Sequence, residues 1–200
     1  MSNKLININT ELIDLNNLHH SCEWALNHLI DTFKNHNIII KKNNKNSINS
    51  HNIYLATKES NLIHLFKKKK LLPLEDESYA IIPIQKDNKK TLLLYGSDFR
   101  GLVYVLTEIA DRINHLFKGQ DLFELINKNI IEKPITKIRS ISKCFESNVE
   151  DLDWFYDREM WSEYLTMLIT NRINRITLTM GMQYNYPYGN EFIKDVYFYL

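Results

Sequence analysis

The sequence predicts an α/β protein, and three observations carry that prediction. Short β-branched or alternating runs, such as Ile38-Ile39-Ile40, recur between longer amphipathic stretches. Two of those stretches, one from about Asn17 and one from Phe99, carry apolar stripes of helical period. Past Pro134 the order strand, helix, strand returns. That order defines a βαβ unit with parallel strands and a right-handed crossover.

Composition excludes several classes. With 200 residues, 24% charged and 44% hydrophobic, the chain has an ordinary globular balance. Lysine plus arginine is 25 against 24 acidic residues, a net charge of +1. That lacks the basic excess on which nonspecific nucleic-acid binding relies, and no nucleic-acid partner is expected. No apolar run approaches the ~18 residues of a membrane span, and the start, Met1 to Asn7, alternates without a signal-peptide core. A cytoplasmic location is the expectation. Cys22 and Cys144 cannot build a disulfide framework and read as reduced thiols.

Taken in order, Lys4 to Asn9 alternates like a strand, and Cys22, Leu26, Leu29, Ile30 and Phe33 form one helical stripe. A strand at Ile38 to Ile40 follows. Lys41 to His51 is polar and of low complexity, and reads as a loop. Asn52 to Thr57 is strand-like, and Leu62 to Leu72 is a short helix followed by a solvated turn containing Lys67 to Lys70. Two strands, Ser78 to Gln85 and Lys90 to Tyr95, flank Lys86-Asp87-Asn88-Lys89, which has the composition of a hairpin turn. Ser97 or Asp98 can cap a helix from Phe99 to about Phe117, with Leu102, Leu106, Ile109, Ile113 and Leu116 on one face. Residues Gln120 to Pro134 read as a connector.

After Pro134, Ile135 to Phe145 is expected to be a strand and Asn148 to Asp153 an acidic loop. Arg158 to about Asn171 is a helix with Asp157 at its N-cap and Tyr156 and Trp161 spaced as a hydrophobic staple. Asn174 to Met180 is the second strand, and an aromatic loop follows Gly181. Too few residues follow Pro134 for a complete barrel of ~250 residues. The expected layout is therefore a sheet covered by helices on one face over 1–130, then the first βαβ unit of an incomplete (β/α)8 barrel over 135–200.

Two local signatures stand out. In Gly96-Ser97-Asp98-Phe99-Arg100-Gly101, Gly96 lets the chain leave a strand sharply and Gly101 lets a helix approach the sheet. The spacing lacks G-x-G-x-x-G and G-K-[ST], so it is not a phosphate loop. The second signature runs from Ile138-Arg139-Ser140-Ile141 through Trp154 to Trp161 and on to Asn171-Arg172-Ile173-Asn174-Arg175.

In their order, GSDFRGLVYVLTEIADRI, IRSI and NRINRITL, the chain resembles the start of glycoside hydrolases related to α-glucuronidases and β-N-acetylhexosaminidases. The resemblance covers roughly Ser78 to Leu200, and the first seventy residues match by order of elements only. The chain departs from the pattern with Ile173 where phenylalanine is usual and Ser140 where glycine often follows the arginine. The resemblance implies a small α/β domain ahead of a catalytic (β/α)8 barrel. It also implies hydrolysis of O-glycosidic bonds in carbohydrates containing uronic acid or N-acetylhexosamine. Its catalytic carboxylates come mainly from the fourth barrel strand onward, so they are expected beyond Leu200, and the 200 residues alone are expected to be inactive. Glu146, Glu150, Asp151 and Asp153 read as solvated charges rather than catalytic acids.

What this stretch can supply is the near edge of a sugar site. Arg139 suits either a guanidinium fork onto a sugar carboxylate or vicinal hydroxyls, or a buried ion pair across the barrel floor, the second being favoured. Gln183, Tyr184 and Tyr186 suit pyranose stacking and hydroxyl contacts, with packing inside a long loop as the rival role. Asn174 is expected to be structural. His19-His20-Ser21-Cys22 holds metal-ligand types, but consecutive helical residues point about 100° apart, and no metal or cofactor is expected. The alternative to a hydrolase is a noncatalytic carbohydrate-binding or protein-interaction module built around Tyr184 to Tyr188.

Overall fold

The computed structural model describes residues 5–9, 19–42, 51–60, 71–86, 89–117, 120–145 and 148–180. The expected helix at Leu62 to Leu72 with Lys67 to Lys70, and the aromatic loop after Gly181, lie largely or wholly outside them. The chain divides into two units, Met1–Ile135 and Thr136–Leu200.

In the first unit, β1 (Leu5–Asn9) lies parallel between β2 (Ile39–Lys42) and β3 (His51–Thr57). Strand β5 (Lys89–Gly96) joins β3 in parallel, and β4 (Tyr79–Lys86) and β6 (Ile130–Glu132) follow antiparallel. The order is β2-β1-β3-β5-β4-β6. Pairing of Lys86 with Lys89 closes the β4–β5 hairpin around two residues, as the turn composition predicts.

Two boundaries depart from the sequence reading. Lys41 and Lys42 extend β2 and His51 opens β3, because ladder pairing with β1 outweighs their polar composition. The Gln120–Pro134 connector is also structured. It holds α3 (Leu122–Leu125), which buries Leu122 and Phe123, and then β6, an edge strand of three residues. Short edge strands of this kind limit unwanted pairing.

Helix α1 (His20–Asn35) exists because Cys22, Leu26, Leu29 and Phe33 recur at helical spacing, and each is almost completely buried. It ends on Asn37, whose φ of 57° is left-handed. The Asn37 N–H reaches the Lys34 carbonyl and the Ile38 N–H the Phe33 carbonyl, the two bonds of a Schellman cap. Helix α2 (Phe99–Asn114) buries Leu102, Leu106, Ile109 and Ile113. Each such side chain contributes roughly 2 kcal/mol of transfer free energy.

Helix α2 packs on α1 and over β3, β4 and β5, while α1 also meets β2, so both helices cover one sheet face. On the opposite face, Ala56, Ala80, Ile82, Leu93 and Tyr95 form a second buried cluster. Register puts Ala56 and Ala80 on either side of Tyr95, which gives the large ring room between two small neighbours.

In the second unit, β7 (Ser140–Phe145) and β8 (Arg175–Met180) pair in parallel through six register positions. Helices α4 (Asn148–Tyr156) and α5 (Arg158–Thr170) connect them. The strand–helix–strand order and parallel direction agree with the sequence reading. Residues 135–139 do not belong to the strand, and the expected acidic loop is helix α4. Asp157 caps α5 as expected, accepting from the Glu159 and Met160 N–H groups. Tyr156 stays 66% exposed, and Trp161 packs instead edge-on against Trp154 and Tyr164, so these rings replace the expected staple.

Candidate functional site

The β7–β8 pair has two unlike ends. At the amino-terminal end, the NRINR segment is built residue by residue from hydrogen-bond needs. Arg172 takes a φ of 60° as α5 ends, its N–H on the Ile169 carbonyl and the Ile173 N–H on the Leu168 carbonyl, again a Schellman cap. Asn174 then accepts the Arg139 N–H on Oδ1 at 2.9 Å and donates Nδ2 to the Lys137 carbonyl at 2.8 Å. Its backbone N–H and that of Arg175 both reach the Arg139 carbonyl.

Arg139 therefore lies just before β7. Its Nε donates to the Arg172 carbonyl at 2.6 Å and one Nη to the Thr136 carbonyl at 2.8 Å. Both of these donors meet backbone carbonyls, one of them just past the end of α5, where a cation is favoured. Asn174 has the structural role expected of it. Gln183, Tyr184 and Tyr186 lie outside the described residues.

At the carboxyl end, Phe145 is buried against Trp154 and Phe155, with ring centroids 6.0 and 4.9 Å away. One step back on the same strand face, Lys143 holds its Nζ 3.8 Å from the Trp154 ring centre and 5.6 Å from that of Tyr164. A cation over indole in a half-buried setting contributes on the order of 1 kcal/mol. Hence Ile141, Lys143 and Phe145 face the helices, while Ser140, Ser142 and Cys144 alternate to the other side. The Trp154 indole N–H donates to Asp151 at 2.6 Å and that of Trp161 to the Phe155 carbonyl at 2.8 Å, so both half-buried donors are satisfied.

The sequence reading missed α4 and its aromatic seat. The available signal was the spacing of Leu152, Phe155 and Tyr156, helical at i, i+3, i+4.

In the first unit the GSDFRG turn is also laid bare. Asp98 caps α2 through the Gly101 N–H at 2.7 Å and holds the Glu77 N–H at 2.9 Å with its other oxygen. The Glu77 carboxylate pairs with Arg100 at 2.6 Å, and this contact raises the arginine pKa further. The turn is filled by its own side chains and backbone. A Cβ on Gly101 would meet the Ser78 carbonyl oxygen at 2.2 Å. Among the described residues no group of three His, Cys, Asp or Glu side chains could hold a metal ion. Nor, among them, is any helix long and apolar enough to cross a membrane.

No protein-family model matches the chain, and no curated protein matches it. Solved structures do. A GH138 enzyme targeting pectin rhamnogalacturonan II aligns over 88% of this chain at a TM-score of 0.59 and 20% identity. A family GH115 4-O-methyl-α-glucuronidase with specificity for decorated arabinogalactans aligns over 90% at 0.55 and 13% identity. The chain spans 19% of the first enzyme and 25% of the second. It thus shares the fold of a portion of glycoside hydrolases.

Proposed function

We propose that this chain is the N-terminal part of a glycoside hydrolase acting on O-glycosidic bonds in carbohydrates, with an accessory α/β domain over 1–130 and the opening of a (β/α)8 barrel over 135–200. The carrying observation is the parallel β7–β8 pair with its helical crossover, set after a mixed sheet in a chain sharing its fold with segments of two such enzymes. Hydrolysis in this reading uses two carboxyl groups, as acid and base or acid and nucleophile, from barrel strands following Leu200. Substrates with uronic-acid or N-acetylhexosamine units are the favoured class.

Within this reading, Gln183, Tyr184 and Tyr186 follow β8 and supply sugar contacts. Arg139, committed to carbonyls at the amino-terminal end, serves the stability of the barrel opening, because barrel sites lie at the carboxyl ends. The test is to sequence the locus past Leu200 and screen the complete product on aryl glycosides and uronides. Hydrolysis of one sugar class is expected. Sugar binding without hydrolysis, in a product with no further βα units, would mean a noncatalytic module instead.

A further inference from the structure

We propose that the Thr179 hydroxyl contacts a substrate hydroxyl at the carboxyl end of the β7–β8 pair, with Ser142 beside it as a positioning residue. The inference rests on the hydrolase reading above and names a contact within its site. Lys143 and Phe145 reach the rings of α4 and α5, so their side of the pair is the helix-covered one. Alternation sends Ser140, Ser142 and Cys144 to the other side. Register sets Arg175, Thr177 and Thr179 beside them, and the Ser142 and Thr179 hydroxyls meet across the strands at 3.4 Å. Thr179 pairs with Cys144 one position short of the carboxyl end.

In a (β/α)8 barrel the side away from the helices lines the interior, which bulky branched residues ordinarily fill. Here the apolar branched residues Ile141, Ile176 and Leu178 are on the helix side, and the other side carries hydroxyls, a thiol and a guanidinium. Such a wall does not pack as an apolar core. Once a barrel closes over it, its hydroxyls leave bulk water and need polar partners. At the carboxyl end, where barrel substrates sit, a sugar hydroxyl is such a partner. Among the described residues, Ser142 and Thr179 make no polar side-chain contact except with each other. That contact is long for a hydroxyl pair, and each group both donates and accepts, so each keeps capacity for a further bond. Thr179 is half-buried and β-branched, so little rotamer freedom is lost when it is fixed on a ligand.

The experiment uses the complete product and the p-nitrophenyl glycoside or uronide that it hydrolyses, with the monodeoxy analogues of that sugar. Thr179→Val keeps the shape and strand preference while removing the hydroxyl. It is expected to raise KM roughly five- to tenfold with kcat within about twofold, and Thr179→Ser to stay near wild type. Thr179→Ala serves in the same role if the valine variant does not fold. Ser142→Ala is expected to raise KM about threefold. One monodeoxy analogue should lose the same factor against wild type and little against Thr179→Val, a coupling that a structural role would not produce. An active product with KM unchanged in Thr179→Val, whether or not its thermal midpoint falls, overturns the contact and leaves the hydrolase reading standing. Equal losses for every analogue in both proteins do the same. A product inactive on every glycoside and uronide overturns both.

Discussion

The side-chain amide of Asn174 acts as a strand partner for the backbone entering β7: Oδ1 takes the Arg139 N–H at 2.9 Å, and Nδ2 gives to the Lys137 carbonyl at 2.8 Å. Arg139 returns the tie by donating Nε to the Arg172 carbonyl at 2.6 Å. Two segments more than thirty residues apart are thereby registered before either strand begins, and β7 and β8 pair in parallel from Ser140 and Arg175 onward.

Asn174→Ala is therefore expected to cost about 2 kcal/mol, because it removes two amide bonds and leaves the Arg139 N–H to find water in a half-buried place. Asn174→Asp keeps the acceptor but turns a carboxylate oxygen toward the Lys137 carbonyl, so it should cost at least as much. Arg139→Met should couple to Asn174→Ala, with a nonadditive term of about 1 kcal/mol in a double-mutant cycle read by denaturant unfolding. Strict additivity would show that the two side chains do not act as one clamp.

Gly101→Ala should be among the most damaging single-methyl changes in the first unit. The new Cβ would stand 2.2 Å from the Ser78 carbonyl oxygen, a backbone atom that cannot rotate away. Moving α2 outward would open the contact between Leu102, Leu106 and the sheet. A loss of about 3 kcal/mol is expected, visible as a lowered denaturation midpoint. Helix propensity alone predicts the opposite sign, since alanine favours a helix by about 1 kcal/mol over glycine. The measured sign thus separates close approach from propensity.

The motifs that were legible before the structure are those whose partners are local. Asp98 and Asp157 sit within three residues of the N–H groups they cap, and the apolar stripes of α1 and α2 repeat within single helices. What was not legible depends on distant partners. Edge strand β6 is three residues long, and only its ladder with β4 makes it a strand. Helix α4 was hidden by its acidic start, since the Phe145 seat that fixes Trp154 and Phe155 belongs to another element. The carbonyl partners of Arg139 carry no sequence signal, because any residue has a carbonyl.

Asp98→Ala removes two bonds at once, the α2 cap and the acceptor for the Glu77 N–H. Glu77 has a φ of 60°, a left-handed conformation that costs a residue with a Cβ about 1 kcal/mol. The Asp98 bond and the Arg100 pair help hold it there. The expected loss is about 2–3 kcal/mol. Asp98→Asn, which retains one acceptor oxygen, should fall between. If Asp98→Asn equals Asp98→Ala, the negative charge at the α2 N-terminus matters more than the second hydrogen bond.

Cys22 ties the two helices together, its thiol donating to the Phe99 carbonyl at 3.3 Å. Burial pushes its pKa from 9.0 up to about 11. The unfolded thiol therefore ionises near pH 9 while the folded one remains protonated to about pH 11. Between those values the unfolded chain binds fewer protons, so stability is complete below pH 9 and falls as pH rises toward 11. Tyr95, its pKa also raised by burial, adds to the decline in the same direction at the upper end of that range. Urea unfolding of wild type and Cys22→Ala at pH 7, 9 and 10.5 separates the two groups. Wild type should lose on the order of 1–2 kcal/mol more than the variant over this interval, with solvent screening allowed for. Parallel pH profiles would mean that the thiol ionises without leaving its place between α1 and α2, and that Tyr95 alone sets the alkaline limit.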